Sequence, residues 1–132
     1  MFLYLSSLLA ATLSLAFIEK IRSENRIRLL VCVIRPEQLG EVVSALKISG
    51  LVTGMTVMNV RGFGRQRADE DTIRFLPKLK LETLVLDKDV ERAANVISNS
   101  LRTGQIGDGK IYTLNVRAVL RVRTRESGLS GL

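Results

Sequence analysis

Three short stretches of this chain combine residue types that suit an anion. Gly62-Phe63-Gly64 is followed at once by Arg65-Gln66. Glycine has no Cβ, so such a stretch lets backbone approach a ligand closely and offers N–H groups to negative charge. Thr103-Gly104-Gln105-Ile106-Gly107-Asp108-Gly109-Lys110 sets three glycines beside a lysine. A loop of this kind can cradle a phosphate chain, with Lys110 as a point charge. Arg121-Val122-Arg123 puts two guanidinium forks on one side of an extended segment, an arrangement that suits polyphosphate. Each stretch also has an ordinary explanation: a turn at a strand end, a glycine-rich connection, a solvated strand face.

Groups for turnover are scarce. The chain has no histidine, which removes the commonest general base and the commonest metal ligand. Ser–His–Asp and Cys–His sites are impossible, and a zinc site is disfavoured. The single cysteine, Cys32, allows no internal disulfide and sits in an apolar run, where a buried inert thiol is the expectation. Neither a catalytic residue nor a metal site is therefore predicted, and an enzyme is the least favoured class. The net charge of +7, from 20 Lys plus Arg against 13 Asp plus Glu, suits nucleic acid, a membrane surface or a nucleotide phosphate.

The elements that must position these stretches read clearly from Ile27 onward. Leu29 to Ile34 is a β-branched apolar run stopped by Arg35-Pro36, which predicts a buried strand. Pro36 fits the first turn of a helix whose apolar face is Leu39, Val42, Val43 and Leu46, and Gly50 and Gly54 end it. Met55 to Val60 and Leu79 to Leu86 read as strands two and three. Asp87 is the expected N-cap of a second helix with Val90, Ala93, Ala94, Ile97 and Leu101 on one face. Ile111 to Val116 is the fourth strand, and Val119 to Thr124 alternates like a short fifth. The order β-α-β-β-α-β predicts an α+β, ferredoxin-like split βαβ sandwich. Two helices cover one sheet face, and the apolar residues on the other make oligomerisation a natural solution.

A chain of 132 residues, 46% hydrophobic and 25% charged, is sized for one ordinary domain with a real core. Three segments are expected: an apolar N-terminal part over 1–26, a folded domain over 27–126 and a tail over 127–132. Phe2 to Ile18 is uncharged and reads as an extra apolar helix, at the lower edge of the roughly 17–25 residues that span a bilayer. Three readings compete for it: a membrane or partner-binding helix, a targeting peptide, or an extension with no function of its own. Lys20, Arg22, Arg26 and Arg28 follow it, so an inserted helix would keep the domain in the cytoplasm.

Taken together the motifs resemble a known family. Ile34-Arg35-Pro36, Gly54-Met55-Thr56-Val57, Gly62-Phe63-Gly64-Arg65-Gln66, Phe75-Leu76-Pro77-Lys78, residues 103–110 and Arg121-Val122-Arg123-Thr124 are similar, in order, to those of PII signal-transduction proteins. The resemblance covers about residues 27–126. It implies a nitrogen- and carbon-status regulator, a homotrimer that binds ATP or ADP in clefts between subunits and controls a target enzyme or transporter through loop conformation. Gly62, Gly64, Arg65 and Gln66 would border the nucleotide, with Thr56 near the base. Gly107, Asp108, Gly109 and Lys110 would wrap the phosphates, and Arg121 and Arg123 would reach in from the neighbouring copy. Gln66 would help hold Mg²⁺ with ATP and 2-oxoglutarate, and Lys78 would pair with 2-oxoglutarate. The expected compartment is the cytoplasm, a plastid being the other host.

The resemblance weakens at Arg67 to Arg74. The family's T-loop, which carries the modifiable tyrosine and contacts targets, is shorter here and has neither Tyr nor Ser. Modification at that loop, and entry into a channel, are not carried over. A PII-like adenine-nucleotide sensor with another effector is the nearest alternative. A structural trimer and an RNA-binding ferredoxin-like module come from other classes. The RNA reading is opposed by the 5% aromatic content, because such sheets stack bases on aromatic side chains; no nucleic-acid partner is expected.

Overall fold

The computed structural model describes residues 14–18, 26–64 and 74–132. Four strands form one antiparallel sheet: β1 (Ile27–Ile34), β2 (Thr56–Gly62), β3 (Leu76–Leu86) and β4 (Lys110–Val116), in the order β2-β3-β1-β4. Two helices, α1 (Leu39–Ser49) and α2 (Val90–Leu101), connect them in the split βαβ manner. The α+β fold expected from the sequence is the one present.

Register assigns each strand's faces. Ile34 lies opposite Leu79, Cys32 opposite Leu81, and Leu30 opposite Thr83, so alternate residues of β1 and β3 point to one side. There Leu30, Cys32, Ile34, Leu79, Leu81 and Val85 pack with Val42 and Leu46 of α1 and Ala93, Ile97 and Leu101 of α2. The helical residues are those whose spacing predicted an apolar face, although Val43 is only half-buried. Gly50, at φ 68°, ends α1 in the left-handed conformation that glycine adopts at least cost.

The opposite face carries Leu29, Val31 and Val33 beside Leu84, Tyr112 and Leu114. Tyr112 and Leu114 remain 45% and 48% exposed. A Lys80–Glu82 ion pair at 3.2 Å crosses the same face.

Several boundaries differ from expectation for physical reasons. β2 begins at Thr56 rather than Met55, and it runs on to Gly62. β3 begins at Leu76 rather than Leu79 and includes Pro77. Pro77 pairs only with Arg61, past the end of β1, where the strand has a neighbour on one side only and the missing N–H costs least. Pro36 opens a 3₁₀ turn, Pro36–Gln38, that leads into α1. Asp87 does not cap α2. It starts a second 3₁₀ turn, Asp87–Asp89, and its carboxylate accepts from Arg28 Nε at 2.8 Å.

The fifth strand predicted over Val119 to Thr124 is not present. Leu120 makes one isolated bridge to Ser127, and the chain turns back at 122–124. Arg121 N–H donates to the Glu126 carbonyl and Arg125 N–H to the Arg121 carbonyl, both at 2.8 Å. The segment thus satisfies its backbone locally instead of extending the sheet edge. A 3₁₀ turn, Gly128–Gly131, follows with Gly131 buried.

Of the apolar N-terminal run only 14–18 lies among the described residues, as a helical turn with Leu15 and Phe17 exposed. Among the described residues no helix is long and apolar enough to cross a membrane.

Candidate ligand-binding site

The end of β2, the start of β3, the end of β1 and the start of β4 meet at one end of the sheet, because Gly62 pairs with Leu76 and Val33 with Lys110. Gly62 lies beside Lys78: a Cβ on Gly62 would touch Lys78 Cγ at 3.9 Å. Phe63, just past β2, and Phe75, just before β3, meet edge to face with centroids 5.3 Å apart. Arg65 and Gln66, and all of the short loop but Arg74, lie outside the described residues.

At the same end, residues 103–109 connect α2 to β4. Gly104, Gly107 and Gly109 have φ of 80°, 101° and 101°, a region that other residues enter only under strain. Gly109 is also sterically required, because a Cβ there would collide with the Val33 carbonyl. Asp108 turns inward. Its Oδ2 accepts from the amides of Thr103 at 2.8 Å and Gly104 at 2.9 Å, and its Oδ1 accepts from the Thr103 hydroxyl. Arg35 Nη1 lies 3.6 Å from Oδ1, and Arg35 Nη2 donates to the Ile106 carbonyl at 3.2 Å. The Thr103 hydroxyl and amide, with help from Gly104 and Arg35, hold the Asp108 carboxyl below the ordinary carboxylate range.

The other predicted residues sit elsewhere. Thr56 and Arg121 line a cleft of about 470 Å³ with Glu82 and Leu84 of β3 and Leu132. Its floor is tied down by Thr83, whose buried hydroxyl donates to the Gly54 carbonyl at 2.5 Å. Arg121 Nη2 donates to the Leu132 carbonyl. Arg123 is exposed in the turn after Arg121 and does not line this cleft. Glu82 and Leu84 were not singled out from the sequence. The alternation of β3 held the signal: Glu82 lies directly opposite Thr56, with Leu84 next on the same face.

One chain therefore carries two separate groups. Gly62, Gly64, Lys78 and residues 107–110 gather at one end of the sheet, whereas Thr56 and Arg121 face a cleft at the start of β2. Within the first group β2 and β4 are opposite edge strands, and Gly62 lies four residues beyond Met58, the β2 residue level with Lys110, so Gly62 and Lys110 stand roughly 20 Å apart. Among the described residues no group of three or more His, Cys, Asp or Glu gathers to hold a metal ion.

Residues 27–126 match the family model "Nitrogen regulatory protein P-II". Nitrogen regulatory protein P-II of Rhizobium meliloti is 43% identical over 107 residues, which are 76% of this chain and 95% of that protein. Nitrogen regulatory protein P-II 2 of Methanothermobacter thermautotrophicus is 47% identical over 106 residues, 75% of this chain and 91% of that protein. This chain belongs to the P-II family. A solved P-II structure agrees: Arabidopsis thaliana PII bound to citrate superposes with a TM-score of 0.70 at 39% identity, covering 82% of this chain and 94% of that one.

P-II proteins are nitrogen regulatory signal-transduction proteins rather than enzymes, and the chain shares that assignment. The family binds small-molecule effectors, and the Arabidopsis P-II structure has citrate bound. The matched P-II residues run from the first residue of β1 to the turn after Arg121.

Proposed function

We propose that this P-II chain senses adenine nucleotide as a homotrimer and passes the result to a target enzyme or transporter. ATP or ADP would lie between copies, its phosphates on the glycine-rich end of one chain and its base in the Thr56–Arg121 cleft of the next. The observation that carries this reading is the separation of the two groups. Among the described residues neither end offers a complete site, whereas a head-to-tail ring of copies would bring unlike ends together at every interface. Gly62, Gly64, Arg65, Gln66, Gly107, Gly109 and Lys110 would serve the phosphates, and Thr56, Arg121 and Arg123 would come from the neighbour. Gln66 with Mg²⁺, and Lys78, would serve 2-oxoglutarate. Residues 2–18 would supply any membrane attachment, and the domain would work in the cytoplasm.

Calorimetric titration of the full chain with Mg-ATP, with and without 2-oxoglutarate, tests this, alongside a mass by light scattering. A trimer whose ATP affinity rises with 2-oxoglutarate is the expected result. A trimer that binds nucleotide indifferently to 2-oxoglutarate favours a sensor with another effector, a second reading supported by the shortened segment 67–74. A chain that binds no nucleotide overturns both.

A further inference from the structure

Asp108 stands in a loop proposed to wrap phosphate, yet a carboxylate beside phosphate is repelled by it. We propose instead that Asp108 is a positioning residue, which locks residues 103–109 into a phosphate-ready shape without touching the nucleotide. This inference rests on the nucleotide-binding reading above and names what prepares its phosphate end.

An ionised carboxylate has about four acceptor positions. Three are filled from within the loop by the Thr103 amide, the Thr103 hydroxyl and the Gly104 amide, and Arg35 stands 3.6 Å off Oδ1. The side chain is 21% exposed, so little of it is left to meet a ligand. What these contacts join matters more than their number. Thr103 and Gly104 are where the chain leaves α2, Arg35 is where it leaves β1, and Asp108 is two residues before β4. Arg35 adds a bond to Ile106 at the middle of the loop. The Thr103 hydroxyl, while donating to Asp108, accepts from the Gln105 amide at 3.2 Å. Start, middle and end of the loop are thus tied through one carboxylate, and Gly109 is pressed on the Val33 carbonyl at its exit. The three left-handed glycines gain one fixed conformation from a polar clasp rather than from an apolar core. Preorganisation of this kind raises affinity by reducing what the ligand must order.

The test uses the full chain and its variants Asp108→Ala, Asp108→Asn, Thr103→Val and Thr103→Val/Asp108→Ala. ATP and AMP are titrated by calorimetry, each in Mg²⁺ and in EDTA, and amide hydrogen exchange is followed at Thr103 and Gly104. Asp108→Ala is expected to weaken ATP about tenfold or more, equally with and without Mg²⁺, while AMP changes less than about twofold. Thr103→Val is expected to reproduce part of that loss and to add little in the Asp108→Ala background, as partners in one network do. Exchange at Thr103 and Gly104 should quicken with the overall fold intact, and Asp108→Asn should fall between wild type and alanine. A loss confined to Mg²⁺ would make Asp108 a ligand through the metal and overturn the inference. So would equal losses for ATP and AMP, or unchanged ATP affinity in Asp108→Ala while wild type binds. Failure of wild type to bind either nucleotide would overturn the functional reading itself, and the inference with it.

Discussion

Arg28 and Asp87 join the two central strands at their far ends: Arg28 Nε on β1 donates to Asp87 Oδ1 just past β3, at 2.8 Å. A backbone bond runs beside it, from Asp87 N–H to the Arg26 carbonyl at 2.7 Å. Both side chains keep partial contact with water, 23% and 31%, so this pair is worth less than a buried one. Asp87→Ala is expected to lower unfolding free energy by about 1 kcal/mol, measured by urea denaturation. Arg28→Ala should add little to that loss in the same background. Full additivity of the two would mean that the pair does not act as a unit.

Two glycines should respond in opposite directions to the same substitution. Gly109→Ala meets both a φ of 101° and the Val33 carbonyl, so it should destabilise by at least about 1–3 kcal/mol and impair phosphate binding. Gly40 lies near the start of α1 with nothing within 4 Å of its would-be Cβ. There Ala should stabilise by about 0.5–1 kcal/mol, through lower entropy of the unfolded chain. Thermal melts of the two variants against wild type decide both signs.

Thr83 links the core to the cleft. It is the buried polar residue of the sheet's helix-covered face, and its hydroxyl holds the Gly54 carbonyl. Thr83→Val keeps the shape and leaves that carbonyl without its donor, at a cost of about 1–3 kcal/mol. Because Gly54 borders the cleft, the same change should also weaken nucleotide binding, whereas Thr83→Ser should preserve both. Parallel denaturation and calorimetry separate the two effects.

Cys32 gives the fold a dependence on alkaline pH. Burial pushes its thiol from an ordinary 9.0 up to about 11. In the unfolded chain it ionises from pH 9, while in the fold it stays protonated until about 11. The unfolded state therefore binds fewer protons in that window, and stability falls as pH rises through it. Cys32→Ala, whatever it costs at neutral pH, should flatten this portion of the profile. In the folded protein the thiol should resist a thiol-specific reagent at pH 8, because almost none of it is thiolate.

Most of the fold was legible in the sequence because its elements carry clean periodicities. Leu39, Val42 and Leu46, and then Val90, Ala93, Ile97 and Leu101, recur at helical spacing, and these residues meet the core. Errors gathered where local pattern is silent about neighbours. Arg121 and Arg123 alternate with Leu120 and Val122 as a strand would, yet a strand needs an edge to pair with, and here Glu126 and Arg125 take the backbone bonds. Asp87 has the type of an N-cap, but a guanidinium 59 residues earlier in sequence claims its carboxylate. The candidate site was half legible. Its glycine-rich loops announce themselves, whereas Glu82 and Leu84 become noticeable only when the register sets them beside Thr56.

The two unlike ends of the chain have a genetic consequence. A copy with a spoiled glycine-rich end still carries a sound Thr56–Arg121 cleft, and a copy spoiled at Arg121 still carries sound glycines. Mixed in equal amounts and allowed to reassemble at random, two such inactive chains would regenerate roughly a quarter of the clefts intact in a head-to-tail ring. Two lesions in the same end would regenerate none. Which alleles rescue one another would then map, without a structure of the assembly, which end of one copy faces which end of the next.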